Sequence, residues 1–269
     1  MRLKMTDKKR LYEIIPDSSN IRRSLDLAEK YGAVFEYNDF MLPGYLDDRA
    51  ECRRKMIFYK SLGRDCSNDT LHGAFIDISV HSEDSLIRKV SRFRVRQSME
   101  IAQEMGVRGV VFHTGLLASF NDKKYRESWL EANVEFWTDI LEEYKNQSVY
   151  MENMFDWNSR ELVQLTKAMQ NSDRFGICFD YAHAAVFGQE DSPEIWFQET
   201  APYIRHMHIN DNDLVKDMHL PLGDGIIDWN RFFNLMEEYQ IEASVLLEMA
   251  GWEKQLRSLE YLESKGFLK

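Results

Sequence analysis

The stretch from His206 to Trp229, HMHINDNDLVKDMHLPLGDGIIDW, decides how the rest of the chain is read. Ile204, Met207 and Ile209 give its start the apolar character of a strand. Its end sets Asp228 ahead of Trp229, Asn230, Arg231 and Phe232, where an aspartate side chain caps a helix. Between them runs a polar loop with Asp211, Asp217, His219 and a Gly223-Asp224-Gly225 turn. Strand, polar loop and helix in that order form the unit of a β/α barrel. Barrels of this kind keep their chemistry in such loops.

Working outward, the same unit recurs. Strands are expected at 11–15, 33–38, 71–79, 107–114, 148–154, 175–181, 204–209 and 243–249. Helices are expected between them. One starts at the cap Ser18-Ser19-Asn20 and stops at Gly32. Others cover 47–62, 84–105 ahead of Gly106, 123–144, 159–169 and 193–203 behind the cap Ser192. The last covers 252–265 and stops at Gly266. Parallel strands need long crossovers, and eight strand–helix alternations close a single (β/α)8 TIM barrel. A doubly wound open sheet favours a glycine-rich turn after an early strand, and none is present. No repeat or linker interrupts the pattern, so 11–269 reads as one domain. The basic start, MRLKMTDKKR, reads as a disordered or extended tail over 1–10.

Composition narrows the partners. The chain has 269 residues with 44% apolar content, enough for one large core. No run is long and apolar enough for a membrane span, and no leader pattern opens the chain, so no membrane is expected. Cys52, Cys66 and Cys178 form no CxxC pair, which argues for reduced thiols in a cytoplasmic protein. The net charge of −11 makes a small molecule the default partner and DNA the less favoured one. The sequence leaves an oligomer open.

The ligand-type residues gather where the expected strands end. His72 lies in the third strand, His113 ends the fourth and Glu152 ends the fifth. Asp180 and His183 follow the sixth. His208, Asp211, Asp217 and His219 belong to the seventh, and Glu248 to the eighth. Five of the seven histidines fall in this set, and strand ends share one rim in a parallel barrel. Imidazole and carboxylate together suit zinc, manganese or a similar divalent ion, at one to three per chain. Without cations, Glu152, Asp180, Asp217 and Glu248 would crowd like charges. Two dications balance four carboxylates, and a third leaves a positive centre suited to phosphate.

Each residue also has a plainer reading. His113 after Val-Val-Phe fits a hydrogen-bonded core histidine. Glu152 and Glu248 fit buried carboxylates paired with arginine. Asp180 fits a helix cap, and Asp217 with His219 fits a solvated loop. His81 and His206 read as structural, Cys178 as core, and Trp129, Phe136 and Trp137 as helix packing. Gly223 and Gly225 make either a tight turn or a set of backbone N–H groups for an oxyanion or phosphate. The metal reading rests on the conjunction.

At these residues the chain resembles the xylose isomerase-like TIM barrels, which include sugar and sugar-phosphate isomerases and epimerases and also endonuclease IV. The resemblance covers nearly the whole chain after the tail. The isomerase branch implies one Mn-like ion on Glu152, Asp180, His208 and Glu248. It implies the two glutamates as proton acid and base, and His183 as a contact to a small-molecule sugar. The endonuclease IV branch implies zinc on the same four residues, with Glu152 bridging to a second ion on His72 and His113. A third ion would take His183, Asp217 and His219. Glu36, Asp211, Gly223 and Gly225 are expected to touch substrate. Phe75 fits either a wedge or barrel core. The two departures are the lack of a lysine close behind the aspartates, as the endonucleases often have, and of the epimerases' arginine soon after the metal histidine. Lys216 is the nearest cation. The sequence reading therefore puts a metal-dependent sugar isomerase or epimerase first and an abasic-site phosphodiesterase second.

Overall fold

The computed structural model describes residues 10–75, 77–120, 122–169 and 172–268. The expected tail falls outside them, apart from residue 10. Eight parallel strands close in sequence order: β1 (Tyr12–Ile14), β2 (Val34–Tyr37), β3 (Thr70–His72), β4 (Gly109–His113), β5 (Ser148–Glu152), β6 (Phe175–Asp180), β7 (Ile204–Ile209) and β8 (Ser244–Leu247). β8 returns to pair with β1, so the sheet has no edge. This is the TIM barrel that the alternation predicts.

The described residues form ten α-helices, α10 following the last strand: α1 (Ile21–Tyr31), α2 (Pro43–Asp47), α3 (Arg49–Lys60), α4 (Ser85–Met105), α5 (Lys123–Glu143), α6 (Arg160–Ala168), α7 (Tyr181–Phe187), α8 (Pro193–Thr200), α9 (Trp229–Glu238) and α10 (Trp252–Lys265). Their ends follow local chemistry. Asp84 accepts from the N–H groups of Leu86 and Ile87, and Asp228 from that of Arg231. Gly32, Gly106 and Gly266 stop α1, α4 and α10 in the left-handed region. Trp129, Phe136 and Trp137 are buried between α5 and the barrel wall, with Phe112 5.1 Å from Trp137. None of the described helices is long and apolar enough to cross a membrane.

Most boundaries shift by a residue or two, and four differences are larger or have a clear local cause. β3 stops at His72 instead of reaching residue 79, because the Ala74 N–H turns away to the Ser98 hydroxyl at 3.0 Å. The helix expected from residue 47 starts at Arg49, since Asp48 caps it, and Pro43 opens the separate short helix α2. The helix expected over 193–203 ends at Thr200 and tightens into a 3-10 turn over Ala201–Tyr203. α7 was not among the expected helices, although the cap reading of Asp180 allowed for one. Asp180 caps it through the His183 N–H at 2.5 Å, so the cap reading of that aspartate holds.

The inward-facing side chains decide what the barrel can do. Toward the N-terminal end of the strands lie Glu13, Glu36, Thr70, His206 and Ser244. Val111, Tyr150 and Cys178 pack as a small apolar cluster. At the C-terminal end stand His72, His113, Glu152, Asp180, His208 and Glu248.

Candidate metal centre

Strand pairing aligns the rim. His113 stands opposite Glu152 across β4–β5, and Asp180 opposite His208 across β6–β7. Glu152 is fully buried at the middle of the site. Its Oε2 faces His113 Nε2 at 3.1 Å and His72 Nε2 at 3.5 Å. Its Oε1 faces His208 Nδ1 at 3.2 Å and His183 Nδ1 at 3.4 Å. Glu248 Oε1 is 3.5 Å from His208 Nδ1.

A hairpin brings in the last two residues. Asp211 and Leu220 exchange backbone hydrogen bonds of 3.0 and 2.9 Å, so the chain between them folds back over the rim. Asp217 Oδ2 then lies 3.4 Å from His183 Nε2 and 2.9 Å from His219 Nε2. His219 takes up a left-handed φ of 46°, costly for a residue with a Cβ and found where surroundings enforce it.

Three groups of potential ligand atoms result: His72, His113 and Glu152; Glu152, Asp180, His208 and Glu248; and His183, His219 and Glu248, with Asp217 alongside. All the ligand-type residues named from the sequence except Asp211 thus come together on one rim. Their donors fit divalent ions. Glu152 Oε1 and Oε2, Asp180 Oδ2, His183 Nε2, His208 Nδ1, Asp217 Oδ1 and Glu248 Oε2 are buried with no hydrogen bond of good geometry among the described residues. Such atoms are expensive to bury unless something else satisfies them.

The histidine tautomers suit the same purpose. His72 Nδ1 meets the Gly73 carbonyl at 3.0 Å, His183 Nδ1 the Asn153 carbonyl at 3.0 Å, and His219 Nδ1 the Glu248 carbonyl at 2.6 Å. Donation of the Nδ1 proton there leaves Nε2 free as a ligand. Asn153 also clamps the rim, donating to the Asp180 carbonyl at 2.8 Å and accepting from the Asp180 N–H at 2.9 Å.

Electrostatics shows the strain of this crowd without cations. Burial, with the charges of Glu248 and Glu152 behind it, pushes the Asp180 carboxyl well above its usual range against the pull of His183. Burial works upward on Glu152 too, yet His208 and His113 together hold it well below. Burial lowers His219, but hydrogen bonding to Asp217 and the charge of Glu248 win and raise it to about 9. His81, outside the cluster, is pushed down to about 4 by burial alone.

Four residues expected to touch substrate are placed differently. Glu36 is fully buried one layer below the rim, with Oε2 at 2.7 Å from the Thr70 hydroxyl and 3.0 Å from His206 Nε2. Asp211 is fully buried and accepts from the N–H groups of Asn212, Gly223 and Ile227 and from the Trp229 indole. Its role is to pin the loop. Gly223 gives its N–H to Asp211, and its φ of 88° suits glycine. A Cβ on Gly225 would sit 2.3 Å from Asp211 Oδ1 and the Asn212 carbonyl. The Gly-Asp-Gly turn is thus packed against the Asp211 side chain. Phe75, half-buried, lies edge-on to His113 and His72 with centroids 5.0 and 5.8 Å away.

The lower layer was missed. Arg108 pairs with Glu13 and donates to Tyr150 Oη at 2.8 Å and Ser244 Oγ at 2.6 Å. A glutamate between apolar residues, as in Leu-Tyr-Glu13-Ile-Ile, carried the same signal as Glu152.

The comparisons with known proteins agree with this architecture. A family model described as xylose isomerase-like TIM barrel matches residues 60–265. The chain is 23% identical over 213 residues to a probable endonuclease 4 of Protochlamydia amoebophila, covering 69% of this chain and 72% of that one. The crystal structure of a D-tagatose 3-epimerase-like protein superposes with a TM-score of 0.73 at 20% identity, covering 95% of this chain and 96% of that one. The TTHB071 protein of Thermus thermophilus, soaked with zinc chloride, gives 0.71 at 22% identity, covering 96% and 99%.

Proposed function

The chain belongs to the xylose isomerase-like TIM barrel family, and from its rim we propose a divalent-metal-dependent hydrolase of a phosphate ester, holding up to three ions. One observation carries this reading: one oxygen of Glu152 faces His72 and His113 and the other faces His183 and His208, so the carboxylate could serve two ligand groups at once. A carboxylate whose two oxygens were both taken up by ions would be poorly available as the base that proton transfer in an isomerase uses.

When bound, the ions would supply Lewis acidity to a phosphoryl oxygen and to an attacking water. The chain's own groups define the rest. His72 and His113 present Nε2 on one side of Glu152, while Asp180, His208 and Glu248 surround its other oxygen. His183, Asp217 and His219 form the third group under the hairpin, nearest solvent, with His219 about one-third exposed. Phe75 lies edge-on to His72 and His113 on that side.

The substrate we propose is a small phosphorylated molecule of the sugar class. The loops around the mouth present Leu117, Phe120, Phe155 and Val215 to solvent, and the net charge is −11. Duplex DNA is instead held through rows of lysine and arginine on its phosphates.

A second reading keeps its place on one observation. Glu152, Asp180, His208 and Glu248 make a complete four-ligand set without the other five residues. One ion there, with Glu152 and Glu248 as acid and base, would serve a sugar isomerase or epimerase. Elemental analysis after zinc or manganese loading separates the two, combined with phosphate release from sugar phosphates and model diesters and with deuterium exchange into ketoses. Two or three ions with ester hydrolysis supports the first. One ion, with exchange and no hydrolysis, overturns it in favour of the second. Nicking of an abasic duplex would overturn the small-substrate assignment.

A further inference from the structure

Among the metal-centre histidines with a mapped second ring partner, three use backbone carbonyls: His72, His183 and His219. His208 differs. Its Nδ1 faces the central carboxylates, while Nε2 points down the barrel to Glu36 Oε1 at 3.3 Å. The contact is an ion-pair approach short of good hydrogen-bond geometry, and neither atom has a hydrogen-bond partner among the described residues.

We propose that Glu36 is a positioning residue of the metal centre: its carboxylate holds the proton on His208 Nε2 and so commits Nδ1 to the central ion. Glu36 is built for this task. Its other oxygen is fixed by the Thr70 hydroxyl at 2.7 Å and His206 Nε2 at 3.0 Å. His206 is in turn fixed through Nδ1 by Ser244 Oγ at 2.6 Å, and Ser244 accepts from Arg108. The carboxylate therefore cannot swing away from His208. A carboxylate partner polarises an imidazole more strongly than a carbonyl does, making it a better electron donor to a cation. His208 belongs to the ligand group that shares Glu152 with one neighbour and Glu248 with the other, so the strongest histidine donor serves the shared position.

This inference rests on the metal reading of the rim, and the experiment keeps the two apart. Full-length wild-type protein, Glu36→Gln and Glu36→Ala are titrated with zinc. Histidine 15N resonances are then recorded on each zinc-loaded protein. The expected wild-type result is a His208 ring protonated at Nε2 and metal-bound at Nδ1. Both variants should lose about 10–100-fold in affinity at one ion only, the scale typical of removing such a partner. The ions served by His72 with His113 and by His183 with His219 should keep theirs. A wild-type His208 carrying its proton on Nδ1 overturns the proposal without any variant. So does unchanged zinc affinity in variants that melt like the wild type. Wild-type protein that takes up no zinc at all defeats the metal reading instead. If the Glu36 variants do not fold, His206→Gln keeps Glu36 but removes its brace, and should weaken the same single ion by a smaller factor.

Discussion

Two polar layers sit one above the other inside the same barrel, and they bury the same residue types in opposite states. The lower layer holds Glu13, Glu36 and His206, and Arg108, Thr70, Tyr150 and Ser244 answer them. The upper layer holds Glu152, Asp180, Glu248 and His208 with no arginine paired to them among the described residues, and most of their side-chain polar atoms lack a good hydrogen bond there. Burial alone does not separate them, since Glu13, Glu152 and Asp180 are all fully buried. What separates them is how far the protein closes its own charges: among the lower-layer groups named here only Glu36 Oε1 lacks a hydrogen bond, whereas in the upper layer most such atoms do. The proposed function assigns the more closed layer to the framework and the more open one to metal binding.

The largest expected break in that comparison comes from Glu152→Gln. The amide keeps the shape but loses the charge that serves two ligand groups, so bound metal should drop by at least one ion. Turnover should fall by roughly 10³-fold or more, in line with losing transition-state stabilisation on the scale of a key polar group. Full activity with full metal content would remove Glu152 from the site. The lower layer should respond in the opposite sense. Arg108→Met leaves Glu13 buried without its cation, at a cost of about 3–5 kcal/mol in unfolding free energy. Metal stoichiometry should stay unchanged. A variant that unfolds normally but loses metal would show that the two layers are one.

Removing the ions tests the upper layer as a whole. Any ligand that binds only the folded state stabilises it, by about 4 kcal/mol at a thousandfold excess over the dissociation constant. Chelation should therefore lower the melting temperature of the wild type clearly and that of Glu152→Gln much less. Equal shifts in both would place the stabilising ion elsewhere.

The upper layer was readable in the sequence because its residues fall at strand ends, and strand ends were easy to find. Glycines in left-handed caps, aspartates at helix starts and short apolar runs are local signals, and they located the barrel units to within a few residues. Height inside the barrel was not readable. Period-two alternation says which face a side chain takes, but its level depends on inter-strand register. Glu36 pairs with Thr70, two residues below His72, so a residue expected at the rim belongs to the layer beneath. Asp211 failed for another reason: an aspartate beside glycines can serve a ligand or its own loop, and only the fold shows that Gly223, Ile227 and Trp229 converge on it. The arginine pairing weighed for Glu152 and Glu248 proved to be the arrangement of Glu13, whose partner lies 95 residues away.

A third carboxylate sharpens the contrast with the smallest effect. Asp156 is buried, and the partners it shows are neutral: the Thr114 hydroxyl at 3.0 Å from both oxygens and the Met154 N–H at 2.9 Å. With no cation to answer it, burial outweighs these bonds and raises its carboxyl to about 6. The folded state therefore holds this proton more tightly than the unfolded chain, where the group titrates near 4. Its contribution to stability is complete below that value and is lost as pH rises through about 6. Asp156→Asn removes the titration but keeps an acceptor for Thr114. Unfolding free energies of wild type and variant, measured in chelator from pH 4 to 7, should move apart by about 1–3 kcal/mol, the wild type losing ground as pH rises. Parallel curves would mean that Asp156 is ionised throughout and that some positive group reaches it, which would place it with Glu13 among the charges that the protein closes for itself.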